Sequence, residues 1–177
     1  MSSTDEPIVA EVTDERCEGC GHEWDAFTPD AIVDGLRDAG AAWAELLTDP
    51  PSTVDERPTP TEWSIVEYAA HVRDVGYNLR DRIIVGMAED APVPKLMFPD
   101  LRADLGLYAE ERADQLAAEV PQSLGLLGRT LCALDDEALE RPIRYGWPRD
   151  TWRTLRWVGS QALHEAKHHL SDARRQT

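Results

Sequence analysis

The stretch TEWSIVEYAAHVRDV, residues 61–75, decides the fold, because its pattern predicts the start of a long helix with a histidine on the apolar side. His71 lies among apolar positions, so its imidazole is expected to face the core. The pattern predicts a helix that begins at residues 61–64 and runs to about Glu89. Apolar residues recur at helical spacing along it, namely Ile65, Val66, Ala69, Ala70, Val75, Leu79, Ile83 and Ile84.

Further helices are predicted on either side of this one. Thr28 is a suitable N-cap with Pro29 in the first turn, and that helix should end before Pro50. The other predicted helices are residues 101–119, residues 121–134 after a restart or kink at Pro121, and residues 151–174. Residues 135–151 read as irregular, and no alternating run is long enough for a sheet. The prediction is an all-α four-helix bundle, residues 28–177, with an N-terminal tail and Cys/His loop at residues 1–27.

Composition and charge narrow the classes of function. The chain has 177 residues, with 34 acidic against 18 basic side chains and a net charge of −16. An acidic surface argues against nucleic acid and anionic membrane as partners. The acidic N-terminal segment lacks the pattern of a signal peptide, and no stretch approaches the roughly 18 apolar residues of a membrane span. With only three cysteines, the sequence predicts a cytoplasmic protein.

The segment ALHEAKHHLSDARR, residues 162–175, carries three of the five histidines. His164 and His168 are four residues apart, which places both imidazoles on one helix face, where they can share a metal. The segment also reads as H-E-x-x-H, but the position six residues past His168 is Arg174, so we do not expect a zinc protease. Glu165 is expected to point away from the histidine pair, and His169, turned by about 100°, has no predicted role.

The segment CEGCGH, residues 17–22, offers Cys17, Cys20 and His22 as a second set of ligands. A structural zinc needs four ligands, so a complete site would have to borrow some from elsewhere. The alternatives are a redox-active or disulfide-forming pair and a rubredoxin-like turn that has lost its metal. A thiolate from this loop could also cap the open position of a metal held by histidines.

Taken together, residues 61–75 and 162–175 resemble the two histidine-bearing helices of DinB-like proteins, in the same order and at a similar separation. CEGCGHEWD resembles the Cys-x-x-Cys-Gly element of one branch of that family. The resemblance implies a four-helix bundle with a divalent metal, zinc or nickel, bound by His71, His164 and His168. Relatives include bacillithiol S-transferases and a mycothiol-dependent maleylpyruvate isomerase, so it also implies metal-assisted use of a thiol.

Three imidazoles leave a metal position open, which is typical of a catalytic site. The expected function is activation of a thiol, of S-transferase or isomerase type; the alternatives are a metal-hydroxide hydrolase and a non-catalytic metal-binding or stress-response protein. Glu67, Asp74 and Asp172 are candidates to orient the imidazoles, or else ordinary ion pairs. The expected partners are a small thiol or electrophile and a second copy of the chain in a homodimer.

Overall fold

The computed structural model describes residues 16–147 and 150–177, and the predicted acidic tail lies outside these residues except at its end. In chain order the elements are a 3-10 turn at Trp24–Ala26, α1 at Pro29–Thr48, α2 at Ile65–Ala88, α3 at Pro99–Asp104, α4 at Ala113–Cys132, α5 at Asp136–Leu139, β1 at Pro142–Tyr145, β2 at Thr151–Thr154 and α6 at Leu155–Arg174.

The long helices form a four-helix bundle, as predicted. Helices α1 and α2 each pack against both α4 and α6, so the core lies between the four. The indole of Trp43 on α1 is fully buried, and its Nε1 donates to the carbonyl oxygen of Ala166 on α6 at 2.9 Å. None of the described helices is long and apolar enough to cross a membrane.

The start of α2 is fixed by a capping box. Ser64 Oγ accepts from the backbone N–H of Glu67 at 3.2 Å, and Glu67 Oε2 accepts from the backbone N–H of Ser64 at 2.9 Å. These two bonds satisfy N–H groups that a helix start otherwise leaves unpaired. Arg57 adds a bidentate ion pair to the same carboxylate, at 2.7 and 2.5 Å. The predicted cap of α1 is also confirmed, since Thr28 Oγ1 accepts from the backbone N–H of Ala31.

The prediction for residues 101–134 was wrong in two respects. Gly106 adopts a φ of 73°, which ends the short helix α3 and leaves the next residues in turns. Helix α4 then runs unbroken through Pro121, although proline there removes one backbone hydrogen bond. Packing against α1 and α2 holds α4 in one piece, because burial of its apolar face outweighs the local cost.

The prediction that residues 135–151 are irregular and that no sheet forms was also wrong. Strands β1 and β2 pair as an antiparallel hairpin, with Ile143 opposite Arg153. Ile143 and Tyr145 are buried and alternate with less buried neighbours, which is the two-residue period of a half-buried strand. Four-residue strands are too short to show this period clearly in a sequence. As a consequence α6 begins at Leu155, capped by Thr154, rather than at Thr151.

Candidate metal centres

Helix α6 presents potential metal ligands on two adjacent faces. His164 and His168 lie on one face, as predicted, while Glu165 and His169, also four residues apart, lie on the next. The loop that carries Cys17 and Cys20 covers the first face, and α2 covers the second with His71. The same two turns of α6 therefore contribute to two groups of ligands.

The first group, called here the Cys/His group, consists of Cys17, Cys20, His164 and His168. One ligand atom from each lies within 4.8 Å of all the others. Cys17 Sγ is 3.6 Å from His168 Nδ1. Burial raises the pKa of the Cys17 thiol, but the His164 imidazole and the backbone N–H groups of Cys20 and Gly19 outweigh burial and hold the pKa below its ordinary value. This favours the thiolate, which is the form that binds metals.

The second group, called here the His/Glu group, consists of His71, Glu165 and His169. Glu165 Oε2 lies 3.1 Å from the Nε2 atom of each histidine, so one carboxylate joins α2 to α6. The His71 side chain is almost fully buried, and the ring of His71 meets that of His169 edge-on with centroids 4.9 Å apart. Two imidazoles and one carboxylate form a donor set that is common in catalytic metal sites.

The side chains of the His/Glu group and their neighbours shift one another's pKa values. Burial lowers the pKa of His71, which keeps this imidazole neutral. Burial raises the pKa of Glu165, but the surrounding imidazoles of His164, His169 and His71 hold it well below its usual range. Burial also opposes charge on His169, yet Asp172 and Glu165 raise its pKa to about 9. The positive charge of protonated His169 is thus stabilised by the carboxylates of Glu165 and Asp172. A metal bound to His169 would replace the proton on its imidazole.

Hydrogen bonds from neighbouring side chains fix the orientation of the His/Glu group. Gln161 Nε2 donates to Glu165 Oε1 at 2.6 Å, and Trp24 Nε1 in turn donates to Gln161 Oε1 at 2.5 Å. Asp172 Oδ2 lies 3.1 Å from His169 Nδ1 and 3.5 Å from His168 Nε2. Asp172 therefore contacts one histidine of each group, which is the position of a residue that orients metal-binding imidazoles.

Except for Cys20, the residues of both groups line a cavity of about 590 Å³, whose other walls come from α2, from the segment before α3 and from the hairpin. Its volume suits a small organic molecule. Apolar side chains form much of the wall; they include Trp63, Val75, Leu79, Leu96, Met97, Phe98 and Trp147. Arg82 adds a positive charge to the lining, with its Nη2 donating to the carbonyl oxygen of Lys95.

The predicted ligands His71, His164 and His168 are divided between the two groups. His164 and His168 meet each other and the cysteines, whereas His71 meets Glu165 and His169. His22, the third predicted ligand of the loop, belongs to neither group: its Nε2 is 3.0 Å from Ser160 Oγ, and its ring stacks on Phe27. Burial lowers the pKa of His22 to about 4.

Of the three carboxylates predicted to orient imidazoles, one contacts candidate metal ligands and two make ion pairs elsewhere. Asp172 contacts candidate ligands, as described. Glu67 is engaged by Arg57 and Ser64, and Asp74 accepts hydrogen bonds from Arg73 and Arg102. Glu67 and Asp74 thus make the ion pairs that were the alternative interpretation.

The residues present fit a bound metal. Both ring nitrogens of His164 are buried and make no hydrogen bond within the described part of the chain, although Glu165 Oε1 is 3.8 Å from Nδ1. A buried imidazole without partners is costly, and a metal ligated by one nitrogen would offset that cost. The His/Glu group fits through its donors, since neutral imidazoles and a carboxylate are ligands of zinc and similar divalent metals.

Sequence reasoning missed Glu165, His169 and Gln161 as members of the site. The signal that could have found the first two is their own spacing of four residues, identical to that of His164 and His168. The sequence prediction instead has Glu165 pointing away from the metal-binding face. The structure corrects this, because α2 packs on that face and brings His71 against it.

Comparison with known proteins agrees with this architecture. The structure of YfiT from Bacillus subtilis, described as "a probable metal-dependent hydrolase with an unusual four-helix bundle topology", is similar with a TM-score of 0.76 and 15% identity, over 85% of this chain and 88% of that chain. At this identity the similarity shows the fold alone. No curated protein matched the sequence. The model of the DinB superfamily matches residues 25–173, and the chain therefore belongs to the DinB superfamily.

Proposed function

We propose that this protein is a metal-dependent hydrolase whose divalent metal binds at the His/Glu group. The observation that carries the proposal is the convergence of His71 Nε2 and His169 Nε2 on one oxygen of Glu165, each at 3.1 Å, in the wall of the cavity. Two histidines and one glutamate leave a coordination position open, as in known zinc hydrolases. The description of YfiT supports the same class of reaction.

A divalent metal in this group would supply Lewis acidity to water or to a substrate oxygen. Neighbouring side chains of the protein position the metal ligands. Gln161 holds Glu165 in place, and Asp172 accepts from His169 Nδ1 and so keeps His169 Nε2 turned toward the group. The apolar wall, which includes Leu79 and Phe98, limits bulk water around the reacting groups.

The set predicted from the resemblance, His71, His164 and His168, is the alternative ligand set for the same function. Both sets contain His71, so variants of that residue do not separate them. Glu165 and His169 belong to one set only, and His164 and His168 belong to the other.

Thiol transfer is the second candidate reaction. It is supported by Arg82 in the lining, which could bind an acidic group of a small thiol, and by the apolar wall, which suits an electrophile. A thiol can occupy an open metal position and lose its proton there, as water can.

The experiment measures turnover by the metal-loaded protein. A panel of esters and amides tests hydrolysis, and conjugation of several thiols to a chlorinated bimane tests thiol transfer. The Glu165→Gln variant should lose at least about 100-fold in rate together with stoichiometric metal at this group. Glu140→Gln is the matched control, because Glu140 makes an exposed ion pair with Arg156 outside the cavity and should keep wild-type activity.

Two results would contradict the proposal. Absence of turnover above the metal-free protein on the whole panel would favour a non-catalytic metal-binding role. Wild-type rate and metal content in the Glu165→Gln and His169→Ala variants, with loss in both His164→Ala and His71→Ala, would assign the metal to the three histidines instead.

A further inference from the structure

We propose that the Cys/His group is a second metal site, a structural zinc that fastens the N-terminal loop to α6. Cys17 and Cys20 would supply two thiolates, and His164 and His168 would supply two imidazoles. A set of four protein ligands leaves no open position, so this zinc would hold structure rather than bind substrate. The inference is independent of the function proposed for the His/Glu group.

The loop has the form of a zinc knuckle. The backbone N–H of Gly21 donates to the carbonyl oxygen of Cys17, and the N–H of Cys17 donates to the carbonyl oxygen of His22, both at 2.8 Å. Gly21 has a φ of 73°, which lets the chain turn back after Cys20. This turn places the two cysteines of a Cys-x-x-Cys motif on the same side, facing α6.

The spacing of the four residues matches that of known zinc sites. Cys17 and Cys20 are separated by two residues, and His164 and His168 by three, which is the Cys-x₂-Cys and His-x₃-His pattern of Cys₂His₂ zinc sites. A pair of histidines at this spacing lies on one face of a helix, as it does here on α6. The sequence predicts His22 as the third ligand of the loop, but its ring is engaged by Ser160 and Phe27.

One sulfur–nitrogen distance in the group also agrees with tetrahedral coordination. With Zn–S bonds of about 2.3 Å and Zn–N bonds of about 2.1 Å, a tetrahedral site separates a sulfur from a nitrogen by about 3.6 Å. Cys17 Sγ and His168 Nδ1 are 3.6 Å apart, and all four ligand atoms fit within 4.8 Å. Small side-chain adjustments would suffice to close the shell.

Two neighbouring features are explained by a metal in this group. His164 is 3% exposed and lies between Trp24 and Trp147, and neither of its ring nitrogens has a hydrogen-bond partner among the described residues. A Cβ atom on Gly19 would lie 2.8 Å from Cε1 of His168, so only glycine lets the loop approach this imidazole so closely.

Asp172 supplies the outer support that zinc-binding histidines usually have. Its Oδ2 is 3.5 Å from His168 Nε2, on the opposite side of the ring from the nitrogen that faces Cys17. Such a carboxylate fixes the tautomer in which Nδ1 is free to bind the metal. Asp172 also contacts His169, so the structural zinc would help to position a ligand of the His/Glu group.

The first test uses the wild-type protein. Elemental analysis should find at least one zinc per chain, and two metals when the His/Glu group is also loaded, and the cobalt-substituted protein should show a sulfur-to-cobalt charge-transfer absorption. Of the three cysteines, Cys132 is exposed and lies outside the group, so it should react rapidly with a thiol reagent whether or not metal is bound. Cys17 and Cys20 should react only after chelation. Three rapidly reacting thiols in the metal-loaded protein, or a cobalt form without the charge-transfer absorption, would overturn the proposal.

Variants then separate this site from the proposed catalytic site. The double variant Cys17→Ser/Cys20→Ser should lose one metal and the charge-transfer absorption, while Cys132→Ser should keep both. His71→Ala should lose the other metal and retain the absorption. If the double variant keeps wild-type metal content, or if mass spectrometry of the untreated protein finds a Cys17–Cys20 disulfide in place of metal, the structural zinc is ruled out whatever the activity assays show.

Discussion

Glu165 and His71 are 94 residues apart in the chain, yet Glu165 Oε2 and His71 Nε2 are 3.1 Å apart. This contact joins α2 to α6 inside the bundle and places a carboxylate against His71, which the sequence predicts to share a metal with His164 and His168. Because the His71 side chain is 5% exposed and the Glu165 side chain 16% exposed, their mutual orientation depends on the neighbours that hold them.

Gln161 should affect metal binding at the His/Glu group without being a ligand. The Gln161→Leu variant removes the donor to Glu165 Oε1 at similar volume, and we expect metal affinity at that group to fall by about 10- to 100-fold. Titration of the metal-free protein in competition with a chromogenic chelator measures this. Trp24→Phe, which removes only the indole donor to Gln161, should produce a smaller loss in the same direction. Unchanged affinity in Gln161→Leu would show that Glu165 needs no such support.

Asp172 is expected to support both groups of ligands. The Asp172→Asn variant should weaken metal binding at both by about 10-fold or more, because Asp172 contacts His168 and His169. Arg175→Ala is the matched control: it removes the guanidinium that donates to Asp172 Oδ1 at 2.6 Å and leaves the carboxylate in place. Competition titrations on both variants give the comparison. Equal losses in the two would mean that the ion pair, rather than the contact with imidazoles, is what matters.

The Arg57–Glu67 ion pair should make stability depend on pH in the acidic range. Burial raises the pKa of Glu67, but hydrogen bonds from Arg57 and Ser64 outweigh it and hold the pKa below its ordinary value of 4.5. A lowered pKa in the folded state stabilises the protein above the unfolded-state pKa, and this contribution is lost as the pH falls through the folded-state pKa. We expect Glu67→Gln to lower the free energy of unfolding by about 1–2 kcal/mol at neutral pH.

Denaturant unfolding at a series of pH values measures this contribution. The difference between wild type and Glu67→Gln should shrink as the pH falls below about 4. Glu140→Gln, at an exposed ion pair, should show a difference of less than about 0.5 kcal/mol throughout. A Glu67→Gln difference that does not vary with pH would assign its effect to packing instead.

Gly76 lets α2 approach α4 closely at Ser123. A Cβ atom at this position would lie 2.6 Å from Ser123 Oγ and 3.0 Å from the Ser123 carbonyl carbon, so Gly76→Ala should force the helices apart at a cost of about 1–3 kcal/mol. Gly125→Ala is the control within α4, because its Cβ would meet only the tip of Arg129 at 3.6 Å. That variant should gain up to about 1 kcal/mol from helix propensity. Thermal unfolding of both variants tests the contrast, and equal effects would contradict it.

Much of the fold could be read from local sequence signals. Thr28 and Ser64 cap helices because their side chains accept backbone N–H groups, and apolar residues at helical spacing located three of the long helices correctly. Errors occurred where tertiary packing outweighed local preference. Helix α4 passes through Pro121, and the four-residue strands of the hairpin carry too short a pattern to be recognised.

The sequence by itself determined which residues could bind metal, because Cys-x-x-Cys and His-x₃-His spacings follow from the geometry of a turn and of a helix. Only the tertiary structure decided how these residues are divided between the Cys/His group and the His/Glu group. Neighbouring positions on α6 differ by about 100° in direction, so which face meets α2 and which meets the N-terminal loop depends on how the helix is rotated within the bundle. That rotation is set by burial of the whole apolar face of α6, and it brings Glu165 and His169 to His71 and leaves His164 and His168 to the cysteines.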